Sequence, residues 1–297
     1  NSHSSMVIIE PKKELSKEKS KLVEEKLDNY KKSLTEEDIN NLIAQNEKLK
    51  NIQLSDDTEE AKATIPKLSI SDVDPKALII PQEIIKDDNY TVLFHDIFTS
   101  KIAYLDFYFD ISMLDDELIP YTNILAWLLG KMDTRDMTYS ELSNEIYVNT
   151  GGINFSANVY GENNNNEIFY PKFIINGKAI GNNIVRLLEL TNTLITETKL
   201  GDKKRVKELL QQLKSRIEMV IFDMGHSIAS ARVGSYFSPA MRYMEKINGL
   251  DFYWFISDIL EKFDENSEEF MSNLNKVYEK IFNINNSAND TIETQKQ

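Results

Sequence analysis

Cysteine is absent from the 297 residues, which removes disulfides, thiolate nucleophiles and thiolate metal sites and leaves the redox compartment open. Histidine is nearly as scarce, at three residues, so a metal centre built on imidazoles has little to draw on. No apolar run approaches the roughly 20 residues that a membrane-spanning helix needs, and no secretory leader is visible. The phosphate-cradling pattern Gly-x-x-x-x-Gly-Lys-Ser/Thr is missing; Asn176-Gly177-Lys178 reads instead as turn chemistry after a strand. Positive charge is the minority sign, with 34 basic against 48 acidic residues and a net charge of −14. Nucleic acid is thereby excluded as a partner, because a phosphate backbone needs a basic surface. A cationic peptide, by contrast, would be drawn in by long-range attraction. Nothing points to a membrane partner, and the compartment stays open between cytoplasmic and organellar.

Two sorts of chain alternate along the sequence. Residues 1–9 are expected to be tag and disordered start, since Asn1-Ser2-His3-Ser4-Ser5-Met6 reads as a cloning scar. Residues 10–53 are highly charged and helical in pattern, with Leu15, Leu22, Leu27, Tyr30 and Leu34 as a thin apolar stripe. Thr35-Glu36-Glu37-Asp38 is a capping box that restarts the chain as a second helix carrying Ile39, Leu42, Ile43 and Leu49. The two helices are expected to form a hairpin that covers its own seam. Residues 54–64 read as a polar linker.

From 65 to 283 the pattern is that of a folded domain. Pro66, Pro75 and Pro81 punctuate an extended lead-in containing Ala77-Leu78-Ile79-Ile80. Strands are predicted over 90–98 and 102–110, the second with Ala103, Leu105, Phe107 and Phe109 on one face. A helix follows over about 117–132, and Thr138-Tyr139-Ser140-Glu141 caps another that ends at Gly151-Gly152. Strands near 153–160 and 167–176 come next. Ile180, Ile184, Leu187, Leu188, Thr191, Leu194 and Ile195 keep helical spacing, as do Val206, Leu209, Leu210, Leu213, Ile217, Val220 and Ile221. Further helices fit 230–246, 252–263 and 268–282, and 284–297 reads as a flexible tail. The order predicts an α+β fold, with helices on one face of a mainly antiparallel sheet.

Few residues carry recognisable chemistry. His3 falls in the scar. His95 reads as a strand residue beside Asp96, and His226 as a residue near a helix end, meeting the helix dipole. Glu218 and Asp223 precede His226, yet no third metal ligand is at hand. Ser235 and Ser238 flank Tyr236-Phe237 without the strand–turn–helix elbow that a nucleophilic serine uses. Arg232 and Tyr236, one helical turn apart, read as packing residues. The glycosylation-type triplets at Asn154, Asn285 and Asn289 are chance matches in an asparagine-rich chain.

Two stretches carry a resemblance. Thr138 to Ile146 with Thr150-Gly151-Gly152-Ile153-Asn154-Phe155-Ser156-Ala157 resembles the M16 (insulinase-like) metallopeptidases, and most closely the presequence protease branch, subfamily C. Ala229-Ser230-Ala231-Arg232-Val233-Gly234-Ser235-Tyr236-Phe237-Ser238-Pro239, followed by Ile247-Asn248-Gly249-Leu250, resembles the associated domain that opens the C-terminal half of that branch. The charged pair at 10–53 resembles the hairpin joining the halves. The resemblance implies an M16/LuxS-like metallohydrolase-type unit within a protein of four such units that closes around a peptide. It also implies zinc held in the first unit by His-x-x-Glu-His, where two His one turn apart ligate the metal and the Glu activates water.

Aligning Asp133-Thr134 with the family's usual Gly-Thr places the three motif positions of this chain at Ile124, Trp127 and Leu128. None can ligate zinc or move a proton. The expectation is therefore a chain without catalytic, metal or known substrate-binding residues, with zinc and chemistry in the parent protein. Its partners would be the N-terminal catalytic half, the fourth unit and a peptide substrate. The alternative is a stand-alone binding or scaffold protein on the same fold.

Overall fold

The computed structural model describes residues 7–282, apart from 9, 11, 77 and 89; the residues of the scar up to Met6, His3 included, and the tail with Asn285 and Asn289 lie outside the described residues. The chain divides after Ile79 into two compact units. In the first, helices α1 (Leu15–Ser33) and α2 (Glu36–Leu54) are joined by Leu34 and Thr35, and a short helix α3 spans Glu59–Ala63. The capping box forms as the sequence dictates: the Thr35 hydroxyl accepts from Asp38 N–H, and the Asp38 carboxylate accepts from Thr35 N–H at 2.9 Å.

The expected closed seam does not form. Neither α1 nor α2 buries a residue, and Leu22, Leu27, Tyr30, Leu42, Ile43 and Leu49 are all exposed. Each stripe is only about one side chain wide, well short of the roughly 100° face with which a surface helix normally anchors itself.

The second unit opens with a ribbon of β1 (Glu83–Lys86) and β2 (Thr91–Phe94), both shorter than the expected 90–98 run. A three-stranded antiparallel sheet follows, built from β3 (Ile102–Asp110), β4 (Ile153–Glu162) and β5 (Asn165–Ile180), with β5 in the centre. Among the described residues eight α-helices complete it: α4 (Ile119–Leu128), α5 (Tyr139–Asn149), α6 (Ile184–Thr196), α7 (Lys203–Asp223), α8 (Gly225–Gly234), α9 (Pro239–Asn248), α10 (Leu250–Glu261) and α11 (Phe263–Phe282). No helix among the described residues is long and apolar enough to cross a membrane.

The sheet has two unlike faces, as period-two alternation requires. Phe107 and Phe109 of β3, Phe155 and Ala157 of β4, and Phe173 and Ile175 of β5 join one core with α4, α7, α10 and α11. Tyr104, Asp106, Tyr108 and Asp110 point to the other side and are exposed. There Asp106 accepts from Asn176 at 2.7 Å, and Lys172 donates to Asp110 at 3.2 Å.

Four expectations need correcting. Asn176-Gly177-Lys178 is no turn: β5 runs through it, and Gly177 pairs with both Leu105 and Ile153. A side chain at 177 would meet Leu187 of α6 at 2.9 Å, so glycine is there to let a helix approach the strand. Ile180 ends that strand, exposed, and α6 starts only at Ile184. The helix expected over 230–246 is two helices, because Ser238 caps α9 by accepting from Met241 N–H and Pro239 opens it. Finally, the helix over 117–132 stops at Leu128, and Gly130 follows at φ +79°, a left-handed conformation suited to glycine after a helix.

Candidate functional site

Helix α4 is the element on which the sequence expectation concentrates. Pro120 lies in its first turn, where a missing N–H costs nothing. Along its length only Asn123 and Trp127 are not buried, so it is a core helix, apolar nearly all round. Ile124 and Leu128 are fully buried; with Trp127 they share one face, being spaced three and four apart.

Trp127 is held from three sides. Its indole Nε1 donates to the Leu209 carbonyl of α7 at 2.9 Å. The Lys131 ammonium sits 3.3 Å from the ring centroid and donates to the Trp127 carbonyl at 2.8 Å. The Arg216 guanidinium lies 5.5 Å from the same ring. Burial, reinforced by the Arg216 charge, pushes the Lys131 ammonium down to about 8. Two hydrocarbon side chains and a donor-only indole offer no lone pair to a metal and no group to exchange a proton, so these residues do not fit zinc.

The remaining candidates have structural employment. His95 lies just past β2, not within it, exposed with Nδ1 2.9 Å from the Pro81 carbonyl. His226 falls in the first turn of α8, just beyond the end of α7 at Asp223. Glu218, its supposed co-ligand, accepts from the Tyr253 hydroxyl at 3.2 Å and lies 3.8 Å from Lys214. No group of three His, Asp or Glu suited to a metal occurs among the described residues. Ser235 is buried and donates to the Arg232 carbonyl, and Ser238 is the α9 cap. A cleft of about 440 Å3 is lined by Met132, Asp133, Tyr139, Lys199, Asp202 and Arg205 among others. Its carboxylates accept from the Tyr139 and Arg205 N–H groups, and Arg205 stacks 4.2 Å over Tyr139.

What the sequence reading missed is the network that explains the second motif. Arg232 bridges Glu245 at 3.0 Å and Asp251 at 2.8 Å, and Arg242 adds a contact to Asp251 at 3.2 Å. Glu245 is only 2% exposed and also accepts from the Leu250 N–H at 3.0 Å and the Asp251 N–H at 3.4 Å, at the start of α10. Hydrogen bonds that it donates to Asp251 first, then to Glu245, hold the Arg232 guanidinium more firmly protonated than usual.

Gly249 belongs to this device, and Gly234 lets α9 approach beside it. A Cβ at Gly249 would meet the Glu245 carboxylate at 2.2 Å, and one at Gly234 would meet Met241 at 2.3 Å. Gly249 after Ile247-Asn248 was the available signal, since glycine before a helix permits such close approach. The network ties α8, α9 and α10 together while Tyr236 and Phe237 stay exposed.

Residues 9–259 match the family model described as Peptidase M16, subfamily C, associated. Protein HypA of Clostridium perfringens is 38% identical over 286 residues, covering 96% of this chain and 29% of that protein. Presequence protease 1, chloroplastic/mitochondrial, of Arabidopsis thaliana is 31% identical over 282 residues, covering 93% of this chain and 26% of that protein. The mitochondrial presequence protease of Xenopus tropicalis is 23% identical over 242 residues, covering 82% and 23%. The chain spans less than a third of the length of these relatives. It belongs to the associated-domain family of subfamily C of the M16 peptidases, the presequence protease branch.

Proposed function

We propose that this chain is a non-catalytic part of a longer zinc-dependent peptidase that degrades short, unstructured peptides. Its folded domain (65–283) would form chamber wall and support the fourth unit, and its helical pair (10–53) would hinge the two halves. The observation that carries this reading is α4. At the positions aligned with the zinc motif stand Ile124 and Leu128, fully buried, and Trp127, bonded to Leu209. Packing has taken the place of ligation there, and zinc would be held elsewhere in the parent. Closing such a chamber admits extended peptides and excludes folded proteins by size. The net charge of −14 favours cationic peptides through attraction that salt screens.

Metal analysis and peptide turnover, on this chain and on a longer polypeptide containing it, test the reading together. We expect the 297-residue chain to bind no stoichiometric zinc and cleave no peptide, and the longer form to do both. Chelator-sensitive cleavage by the clean 297-residue chain would overturn the assignment. A longer form inert to all peptides would favour the scaffold reading. Equal turnover of basic and acidic peptides at low salt would remove the charge preference.

A further inference from the structure

The β1–β2 ribbon differs from the other strands among the described residues. Its register pairs Ile84 with Leu93 and Lys86 with Thr91 on one face, and Ile85 with Val92 and Glu83 with Phe94 on the other. All eight residues are exposed, Ile84 at 57% and Leu93 at 54%. The apolar character continues on both sides, through Leu78, Ile79 and Ile80 before it and Ile97 and Phe98 after it, all exposed. The ribbon is nonetheless well formed. Asp87 N–H donates to the Tyr90 carbonyl at its turn, and His95 meets the Pro81 carbonyl at its base.

A strand with one wet face alternates, as β3 does, with Tyr104, Asp106, Tyr108 and Asp110 turned outward. The ribbon carries aliphatic side chains on both faces, the pattern of a strand covered on both sides. Two strands alone are marginal in water, and an open apolar edge invites pairing. Among the described residues both outer edges are unpaired, since β3, β5 and β4 hydrogen-bond only with one another. The apolar faces of α4, α7, α10 and α11 are already committed to the core beneath that sheet.

We propose that the β1–β2 ribbon is completed by a second folded domain of the same polypeptide, which pairs a sheet edge with β1 or β2 and covers both apolar faces. The inference rests on the reading that this chain is part of a longer protein. The occupant follows from two observations. The matched region is 29% of HypA and 26% of the Arabidopsis protein, so more than two thirds of each lies outside it. Apolar exposure on two faces, moreover, suits a permanent partner, because obligate interfaces are more hydrophobic than transient ones.

Hydrogen exchange followed by mass spectrometry, on the 297-residue chain and on the longer polypeptide, tests this. In the shorter form the amides of 83–94 should exchange within about tenfold of an unstructured peptide, and in the longer form they should slow by a further factor of about 100. Equal, weak protection in both forms would overturn the proposal. So would strong protection of the 297-residue chain at high dilution. Protection that grows with the concentration of the shorter chain would assign the ribbon to self-association and overturn it equally.

The double substitution Ile84→Lys with Leu93→Lys provides a second measurement. It should leave the melting temperature of the shorter chain within about 2 °C and lower that of the longer polypeptide by more than about 5 °C. Turnover plays no part in either readout. A longer polypeptide that protects the ribbon but cleaves nothing defeats the peptidase reading alone, and one that cleaves peptides with an unprotected ribbon defeats this proposal alone.

Discussion

Helices α1 and α4 both carry apolar residues at helical spacing, yet one leaves Leu22 and Leu27 exposed while the other buries Ile124 and Leu128 completely. The difference lies in their surroundings. The α4 face is met by β4, α7 and α9, whereas the stripe on α1 is narrow and flanked by Lys and Glu throughout. A stripe in the sequence specifies a face that prefers to be covered, and supplying the cover is the work of other segments. Among the described residues, burial begins only at Ile111.

The contrast can be broken or sharpened by substitution. The largest effect is expected from Glu245→Ala, which leaves two N–H groups at the start of α10 without their acceptor and removes one of the two carboxylates that hold Arg232. Each N–H group left without its acceptor costs about 1–3 kcal/mol, to be read from the urea midpoint; a cost below about 1 kcal/mol would mean that the network is not a tie. Next comes Leu128→Ala, at about 2–5 kcal/mol for a fully buried leucine. The matching Leu22→Ala in α1 should stay within about 0.5 kcal/mol, and equal costs at the two sites would erase the distinction.

Lys131 supplies a smaller, pH-dependent effect. Its ammonium is held down to about 8 in the fold, against about 10.4 in an unfolded chain. Between those values the unfolded state binds more protons, so this group's contribution to stability rises with pH across that window. The penalty of the buried charge is thus fully present below about pH 8 and relieved above about pH 10.4. Lys131→Met should therefore stabilise the chain at pH 7, and its advantage should shrink as urea titrations move toward pH 10. An advantage independent of pH would refute the account.

The smallest expected effect separates two similar caps. Thr138→Ala removes the box that starts α5, whose Leu142 and Ile146 are buried, and should cost about 1 kcal/mol of global stability. Thr35→Ala removes the equivalent box of α2, where nothing is buried. Circular dichroism should show some loss of helix there, with the main unfolding transition unmoved.

Much of this was legible in the residues. Both capping boxes, the β3 boundaries and its inward row, and the Val206–Leu213 face of α7 follow from local rules. What was not legible depended on partners distant in the chain. Gly177 resembled a turn residue because Leu187, which fills the space above it, lies in the next helix. Ser230 to Lys246 resembled one helix although Pro239 and Ser238 marked the break. Glu245 looked like one more surface acid until α8 and α10 were placed around it. The burial of α4, by contrast, needed only its apolar run to be expected.

The central place of β5 has a consequence for synthesis. It makes every ladder hydrogen bond of the three-stranded sheet with one neighbour or the other, and Ile102 of β3 pairs with Ile180 at its far end. At ribosomal rates of roughly 5–20 residues per second, those 78 residues (180 − 102) take about 4–16 s to follow. During that interval the row Leu105, Phe107 and Phe109 is a newborn strand with no sheet to join, and chaperones have their clearest opportunity to engage this chain.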